Sequence, residues 1–263
     1  VTYTGTGAAR TISHNLGSTP GCIIIKRTDL AGTNWPVYHS AFGNTGCLYL
    51  NLNGTTTTGA SIWNNTSPTS TDFTVGTSSV TNASGGTYVA YLFASNAGGF
   101  GASGTDNIIT CGSYAGSAGA VSVNLGFEPQ FVLVHCYDAI ADWVITDNMR
   151  DMSIMQDVYL AANTAATENS TTGIIYPTAT GFTISASGYT NWNVAGQNFL
   201  YIAIRRGPMK TPTLGTKVFS PIIYTGTGNT DYVTETVGNL NPDMFTTRER
   251  NAAYTLYMNS VQD

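Results

Sequence analysis

The sequence predicts an all-β chain of tandem antiparallel, jelly-roll-like β-sandwich domains, each of about 105–110 residues. Three observations predict it. The pentapeptide "YTGTG" occupies residues 3–7 and again residues 224–228, with a looser "YAGSAG" from Tyr114 close to midway between them. Apolar runs such as "GCIIIKR" and "FVLVHCY" are short, rich in β-branched and aromatic residues, and bounded by Gly, Pro or Asp. That suits strands and leaves too little length for helices. Pro, Asn and Gly punctuate the chain at short intervals, as in "GSTPG", "NLNG" and "ASGG", where turns need a preset or positive φ.

Taken in order, the landmarks of one unit recur in the next. Tyr3 and Tyr114 open a strand, and the Gly-rich residues after them turn it into the following one. "NLGSTPGCIIIKRTD" (15–29) matches "NLGFEPQFVLVHCYD" (124–138) without a gap, 109 residues on. "NWPVYHS" (34–40) matches "DWVITDN" (142–148), which aligns Trp35 with Trp143 and His39 with Asp147. "LYLNLN" from Leu48 matches "VYLAAN" from Val158, "DFTVGTS" around Phe73 matches "GFTISAS" around Phe182, and "NASGGTYVAYLFA" (82–94) matches "NVAGQNFLYIAIR" (193–205). Helical pattern is scarce; residues 147–162 are the best candidate for one short helix or turn.

These matches divide the chain into a first sandwich (1–97), a linker (98–110), a second sandwich (111–207), a second linker (208–216) and an incomplete third repeat (217–263). Half a unit would leave a bare apolar face and an open sheet edge. The segment from 217 is therefore expected to continue in further chain or to be completed by another subunit. The chain opens on Val1, which suits a processed product or a piece of a longer polypeptide.

Composition narrows the role. Apolar residues make up 42% and charged residues 10%, against roughly 25% charged in ordinary soluble domains. Net charge is −5, with no basic run, so nucleic acid is not an expected partner. The apolar runs are too short to insert in a membrane. Cys22, Cys47, Cys111 and Cys136 form no zinc spacing; the expectation is buried free thiols, with disulfides as the alternative that the spacing does not demand.

The pieces "IIIKRTD", "NWPVYHS" and "NASGGTYVAYLFA", with "YTGTG" ahead of them, resemble a tandem repeat of tail-fibre and other virion appendage proteins of tailed bacteriophages, especially marine phages. The resemblance covers nearly all of residues 1–205 and the half unit after 217. It implies a structural, surface-exposed virion component that assembles with other virion subunits as a homo-oligomer, a trimer above all, and contacts host receptors or glycans. It brings no catalytic residues. The second unit departs at "HCYDAIADW", where Lys26 and Arg27 become His135 and Cys136, so any role of that basic pair is expected to differ between units.

Chemistry is thinly represented. Glu occurs at Glu128, Glu168, Glu235 and Glu249 alone, and the densest acidic group is Asp138, Asp142, Asp147, Asp151 and Asp157. Loop solvation and turn capping account for it; a polysaccharide-cleaving pair or a Ca²⁺ site is the alternative, without EF-hand spacing. His39–Ser40 lacks a nucleophile elbow, and "GTGAAR" lacks the P-loop Lys. No cofactor or metal is expected. Aromatic rings beside amides suit sugars. The candidate glycan or receptor contacts are therefore Trp63 with Asn64 and Asn65, and Tyr189, Asn191, Trp192 and Asn193. Trp35 and Trp143, being duplicated, are expected to be packing residues. The reading is a non-enzymatic fibre or appendage subunit; the alternative is a lectin-like module or a polysaccharide depolymerase.

Overall fold

The structure is a computed structural model that describes residues 1–207 apart from 102, 151, 153–156, 172–173 and 186–188, together with residue 225 and the backbone of residues 244–247 and 257–260. It divides into two compact units, Val1–Met209 and Lys210–Asp263. In the second unit, β18 (Met244–Thr247) pairs antiparallel with β19 (Tyr257–Ser260). The second "YTGTG", at 224–228, lies outside the described residues apart from Thr225.

The first unit holds two β-sandwiches. The first is built from β1 (Thr2–Thr4), β2 (Arg10–Ser13), β3 (Pro20–Arg27), β4 (Pro36–His39), β5 (Gly46–Tyr49), β6 (Thr57–Thr58), β7 (Asp72–Val75) and β8 (Thr87–Ala94), with one-turn helices α1 (Ala60–Trp63) and α2 (Ser79–Asn82). The second is built from β9 (Ile109–Ala115), β10 (Val121–Asn124), β11 (Pro129–Cys136), β12 (Val144–Asp147), β13 (Asp157–Ala161), β14 (Asn169–Thr171), β15 (Ile175–Thr178), β16 (Gly181–Ile184) and β17 (Asn198–Arg205).

The large sheets run β1-β8-β3-β4-β5-β6 and β9-β17-β11-β12-β13-β14, the same order twice. The small sheets are β2-β7 and β10-β16-β15. First pairs with last and second with next to last in each sandwich, the nested return that makes the fold jelly-roll-like. Three apolar layers separate the four sheets. Ile23, Ile25, Phe73 and Tyr88 fill the first sandwich; Val132, Val134, Phe182 and Phe199 fill the second. Between the large sheets lies a third core containing Cys22, Ile24, Val37, Leu48, Leu133 and Trp143. The run "CIII" does not alternate because β3 is covered on both faces, Ile23 and Ile25 inward and Cys22 and Ile24 toward the neighbouring sandwich.

Hydrogen bonding revises two details of the alignment. Trp35 C=O accepts from Leu50 N, and Trp143 C=O from Ala162 N, so Leu50 corresponds to Ala162 and Asn51 to Asn163, two residues further along than "LYLNLN" against "VYLAAN" suggests. A slip of two keeps every side chain on its face. Likewise His14 N donates to Thr71 O where Leu125 N donates to Thr180 O. His14 thus takes a core position that is Leu125 in the second sandwich, and two residues separate the loops that follow. In the helix candidate 147–162, the described residues form a 3-10 turn at Asn148–Arg150 and then strand β13.

Candidate functional site

The duplicated residues converge on two clasps. In the first, Tyr3 on β1 donates its hydroxyl to Thr81 O at 2.6 Å, and Tyr114 on β9 donates to Trp192 O at 2.6 Å. Both rings stack in the cores, on Tyr88 at 5.1 Å and on Phe199 at 5.2 Å. Burial pushes both phenols up, so they remain donors. Asn82 and Asn193 then hold the turn that follows each Tyr. Asn82 Oδ1 accepts from Thr6 N (2.9 Å) and its Nδ2 donates to Ala8 O (2.6 Å); Asn193 Oδ1 accepts from Ser117 N (2.8 Å) and its Nδ2 donates to Gly119 O (2.8 Å). Glycine is required inside the clasp: a Cβ on Gly5 would lie 2.2 Å from Ala83 O, and one on Gly116 2.0 Å from Val194 O.

The second clasp surrounds the duplicated tryptophans. Asn51 Oδ1 accepts from Trp35 N (2.8 Å) and Asn51 Nδ2 donates to Asn34 Oδ1 (3.0 Å). Asn163 repeats both bonds, to Trp143 N (2.9 Å) and Asp142 Oδ1 (2.8 Å). Lys26 Nζ sits 5.0 Å from the Trp35 ring centre, and His135 stacks on Trp143 at 4.1 Å. The position at which the two units depart therefore keeps one seat, over the indole face, in both. Arg27 and Cys136 differ more: Arg27 pairs with Asp29 at 2.9 Å, and the Cys136 thiol donates to Asp138 Oδ1 at 3.2 Å. Asp29 and Asp138 still share a task, accepting from Thr87 N and Asn198 N at the start of β8 and β17.

Between the sandwiches, polar groups close the seam around its apolar core. Trp143 Nε1 donates to Tyr49 O and Leu52 O, both at 3.0 Å. Thr56 N donates to Tyr137 O (2.9 Å) and Ala141 N to Asn53 O (3.1 Å). His39 Nε2 meets Tyr201 O at 3.2 Å, and because its Nδ1 accepts from Ala41 N, the Nε2 carries the proton. His135 Nε2 meets Gly54 O at 3.2 Å. Burial lowers both imidazoles to about 4, so both are neutral near pH 7. The four cysteines are buried free thiols. Burial pushes them up, Cys47 and Cys111 to about 12, and protonated thiols in such places are inert.

The predicted contact residues do not form one surface. Trp63 and Trp192 are each 2% exposed, a correction to the expectation that they contact a glycan or receptor. Trp63 ends α1 and packs edge-on against Tyr38 at 5.9 Å; Trp192 packs edge-on against Tyr159 at 5.9 Å. Trp63 belongs to the core of the first sandwich and Trp192 to that of the second. Asn193 is fully buried in the Tyr clasp, a second correction. Asn64 and Asn65 are exposed and left-handed, at φ 52° and 49°, where a short polar side chain ends a helix. Tyr189 is 39% exposed, and Asn191, half-buried, accepts from Asp142 N at 2.9 Å. The two sets stand in different sandwiches.

The acidic group is dispersed over local tasks. Asp138 caps β17, Asp142 belongs to the Trp clasp, and Asp147 accepts from Met149 N and Arg150 N and pairs with the Arg150 guanidinium. Asp151 and the side chain of Asp157 lie outside the described residues. Among the described residues no group of three His, Cys, Asp or Glu could hold a metal ion. Among them, too, no helix is long and apolar enough to cross a membrane. Sequence reasoning missed His39, His135 and the Asn51/Asn163 pair as seam and clasp residues. The Asn pair was hidden by the two-residue slip; the two histidines have no counterpart of their own type in the other unit.

These features define an all-β module of two quasi-equivalent sandwiches whose repeated polar residues are internal clasps. The chain belongs to the family described as "Domain of unknown function (DUF7483)", whose model matches residues 1–208. No curated protein matches the chain. The solved structure described as "Crystal Structure of the STIV MCP" is similar at 11% identity and a TM-score of 0.24, over 78% of this chain and 93% of that one; a likeness of this size carries no argument about role.

Proposed function

We propose that this chain is a non-enzymatic structural protein of a virus particle, a tail-fibre or appendage subunit that assembles with other virion subunits and contributes to attachment at the host surface. The observation that supports it is the destination of the duplicated residues. They go into the Tyr–Asn and Trp–Asn clasps, which fix loops, and the sandwiches join through a buried apolar core. Rigid tandem modules of this kind suit a spacer or shell. The resemblance to phage appendage repeats supplies the setting, and symmetric assembly, a trimer above all, is the form such subunits take. Attachment to host glycans, on this reading, uses the exposed ring of Tyr189 with the half-buried amide of Asn191 beside it.

The test is location. Purified particles are probed by mass spectrometry and by immunogold labelling with antibody to the chain. Label on an appendage supports the reading; a chain absent from particles and recovered from host lysate alone sinks it. Attachment is tested separately, by competition of the purified full chain with particle adsorption. Tyr189→Ala should lower that competition, and an unchanged value removes Tyr189 from the proposal.

A further inference from the structure

We propose that Cys22 and Cys111 are a dithiol pair that closes to a disulfide across the seam and staples the first sandwich to the second, with a low-molecular-weight disulfide such as oxidised glutathione as the oxidant. The inference goes beyond the proposed function and does not rest on it.

Of the four cysteines, two share a core. Cys47 lies in the core of the first sandwich and Cys136 in that of the second, each without a second cysteine. Cys22 on β3 and Cys111 on β9 both belong to the seam, one from each sandwich. Gly21 brings their strands together. A Cβ on Gly21 would lie 2.7 Å from Cys111 Cβ and 3.1 Å from its Sγ. Gly21 has no positive φ, so glycine serves the close approach here and not a turn. Its equivalent in the second sandwich is Gln130, which carries a full side chain. A bulge at Gly21 breaks the alternation of β3, and Gly21 and Cys22 both face the seam. Cys22 Cα is about 3.8 Å from the Gly21 Cα on which Cys111 rests, and a disulfide joins Cα atoms roughly 4.4–6.8 Å apart. Ser95 fixes the other partner: its Oγ accepts from Cys111 N at 3.0 Å and donates to Cys111 O at 3.2 Å. Burial raises the Cys22 thiol, and Cys111 beside it raises it further.

The Cys111 thiolate attacks one sulfur of oxidised glutathione and releases one glutathione thiolate. The Cys22 thiolate then attacks Cys111 Sγ in the mixed disulfide, the Cys22–Cys111 bond forms, and the second glutathione leaves. Two protein thiols are oxidised, one glutathione disulfide is reduced to two thiols, and the two protons pass to the leaving thiolates. Cys111 is the point of entry because it is 7% exposed and Cys22 1%. With the seam closed both thiols are protonated and inert, so the exchange runs while the seam is open. A reducing cytoplasm keeps the pair as thiols, and an oxidising exterior closes it.

The experiment uses the full chain, incubated with oxidised glutathione in urea below its unfolding midpoint, where the seam opens and recloses. Remaining thiols are alkylated under denaturing conditions and counted by intact mass, and chymotryptic peptides are mapped without reduction. Two thiols of the four, Cys47 and Cys136, should remain, and one linked pair of peptides should join Cys22 to Cys111. With the oxidant removed, the cross-linked chain should unfold at higher urea than the thiol form, and dithiothreitol should reverse the shift. Cys22→Ser should abolish the cross-link and leave glutathione on Cys111 in its place. The inference is overturned if all four thiols persist at every urea concentration, if the wild type stops at a glutathione adduct of Cys111, or if the peptides join any other pair. A cross-link that lowers the urea midpoint overturns it too, since a bond made against the native geometry stores strain. Each of these failures leaves the proposed function standing, because location in particles is measured separately.

Discussion

The two sandwiches share strand order, the Tyr–Asn clasp and the Trp–Asn clasp, and they part at the group over the tryptophan face. In the first, Trp35 is half-buried and Lys26 lies over it, its ammonium donating to Thr33 O at 2.8 Å. In the second, Trp143 is sealed in the seam and the group over it is His135. An ammonium is stable at a rim, where its head stays wet, and costly in a dry seam. A neutral imidazole can enter the seam and still donate to a carbonyl; the ring nitrogens of His135 face Gly54 O at 3.2 Å and Asp142 O at 3.4 Å. Duplication therefore preserved what closes each sandwich, and divergence at one position records which copy faces its neighbour.

The strongest way to break this comparison is to truncate both tryptophans. Trp143→Ala empties a seam position and strips two carbonyl oxygens of their donor. It should cost about 4 kcal/mol, while half-buried Trp35→Ala should cost about half of that. Urea denaturation of the two variants measures the difference. Equal losses would mean that the seam contributes little to the stability of the second sandwich.

Acid attacks the seam from both sides. His39 and His135 have folded-state values near 4 against about 6.5 in an unfolded chain. Between those values the unfolded chain binds more protons, so stability falls as pH drops from about 6.5 toward 4 and levels off below. The loss is on the order of 3 kcal/mol per histidine. Neither residue contributes slope above about pH 7. The double variant His39→Gln, His135→Gln should flatten this acid limb, followed as the urea midpoint against pH. A limb that keeps its slope in the double variant would move the effect to other groups.

The Tyr clasps sharpen the comparison at a smaller scale, because here the sandwiches should behave alike. Gly5→Ala and Gly116→Ala each drive a methyl into a carbonyl oxygen. Each should cost about 1–3 kcal/mol, the range for overpacking. A tolerated Gly116→Ala beside a damaging Gly5→Ala would show that the second clasp is the looser one. Thermal denaturation separates the two cases.

How far the sequence disclosed this is best seen residue by residue. The strands and their order of recurrence were legible because period-two patterning and turn residues are local properties. The unalternating "CIII" of β3 even carried a trace of the seam, since a run buried on both faces has no polar side to show. Asn193 was misassigned as a surface contact although it aligns with Asn82; the rule that made the duplicated tryptophans packing residues applies to the duplicated amide as well, and the Tyr clasp holds both. Trp63 and Trp192 were illegible, because polar neighbours in sequence say nothing about the core into which a side chain turns. His39 and His135 were illegible for a related reason. Their partners, Tyr201 O and Gly54 O, are backbone atoms 162 and 81 residues away. No local pattern encodes a backbone acceptor at that distance.

The smallest expected effect lies where the first sandwich has a feature that no described residue of the second repeats. Asn64 and Asn65 are consecutive left-handed residues at the end of α1, whereas the second sandwich has no non-glycine residue of positive φ among its described residues. An ordinary L side chain costs about 1–2 kcal/mol there, asparagine less, and glycine almost nothing. Asn64→Ala should therefore lower stability by about 1 kcal/mol, and Asn64→Gly should leave it nearly unchanged. If the asparagines serve the turn alone, competition with particle adsorption will be unaffected by Asn64→Gly, although the amide is gone. If the amide itself contacts a host glycan, Asn64→Gly will lose that competition at full stability. The glycine variant, unlike the alanine one, separates turn chemistry from recognition, because it alone removes the side chain without straining the backbone.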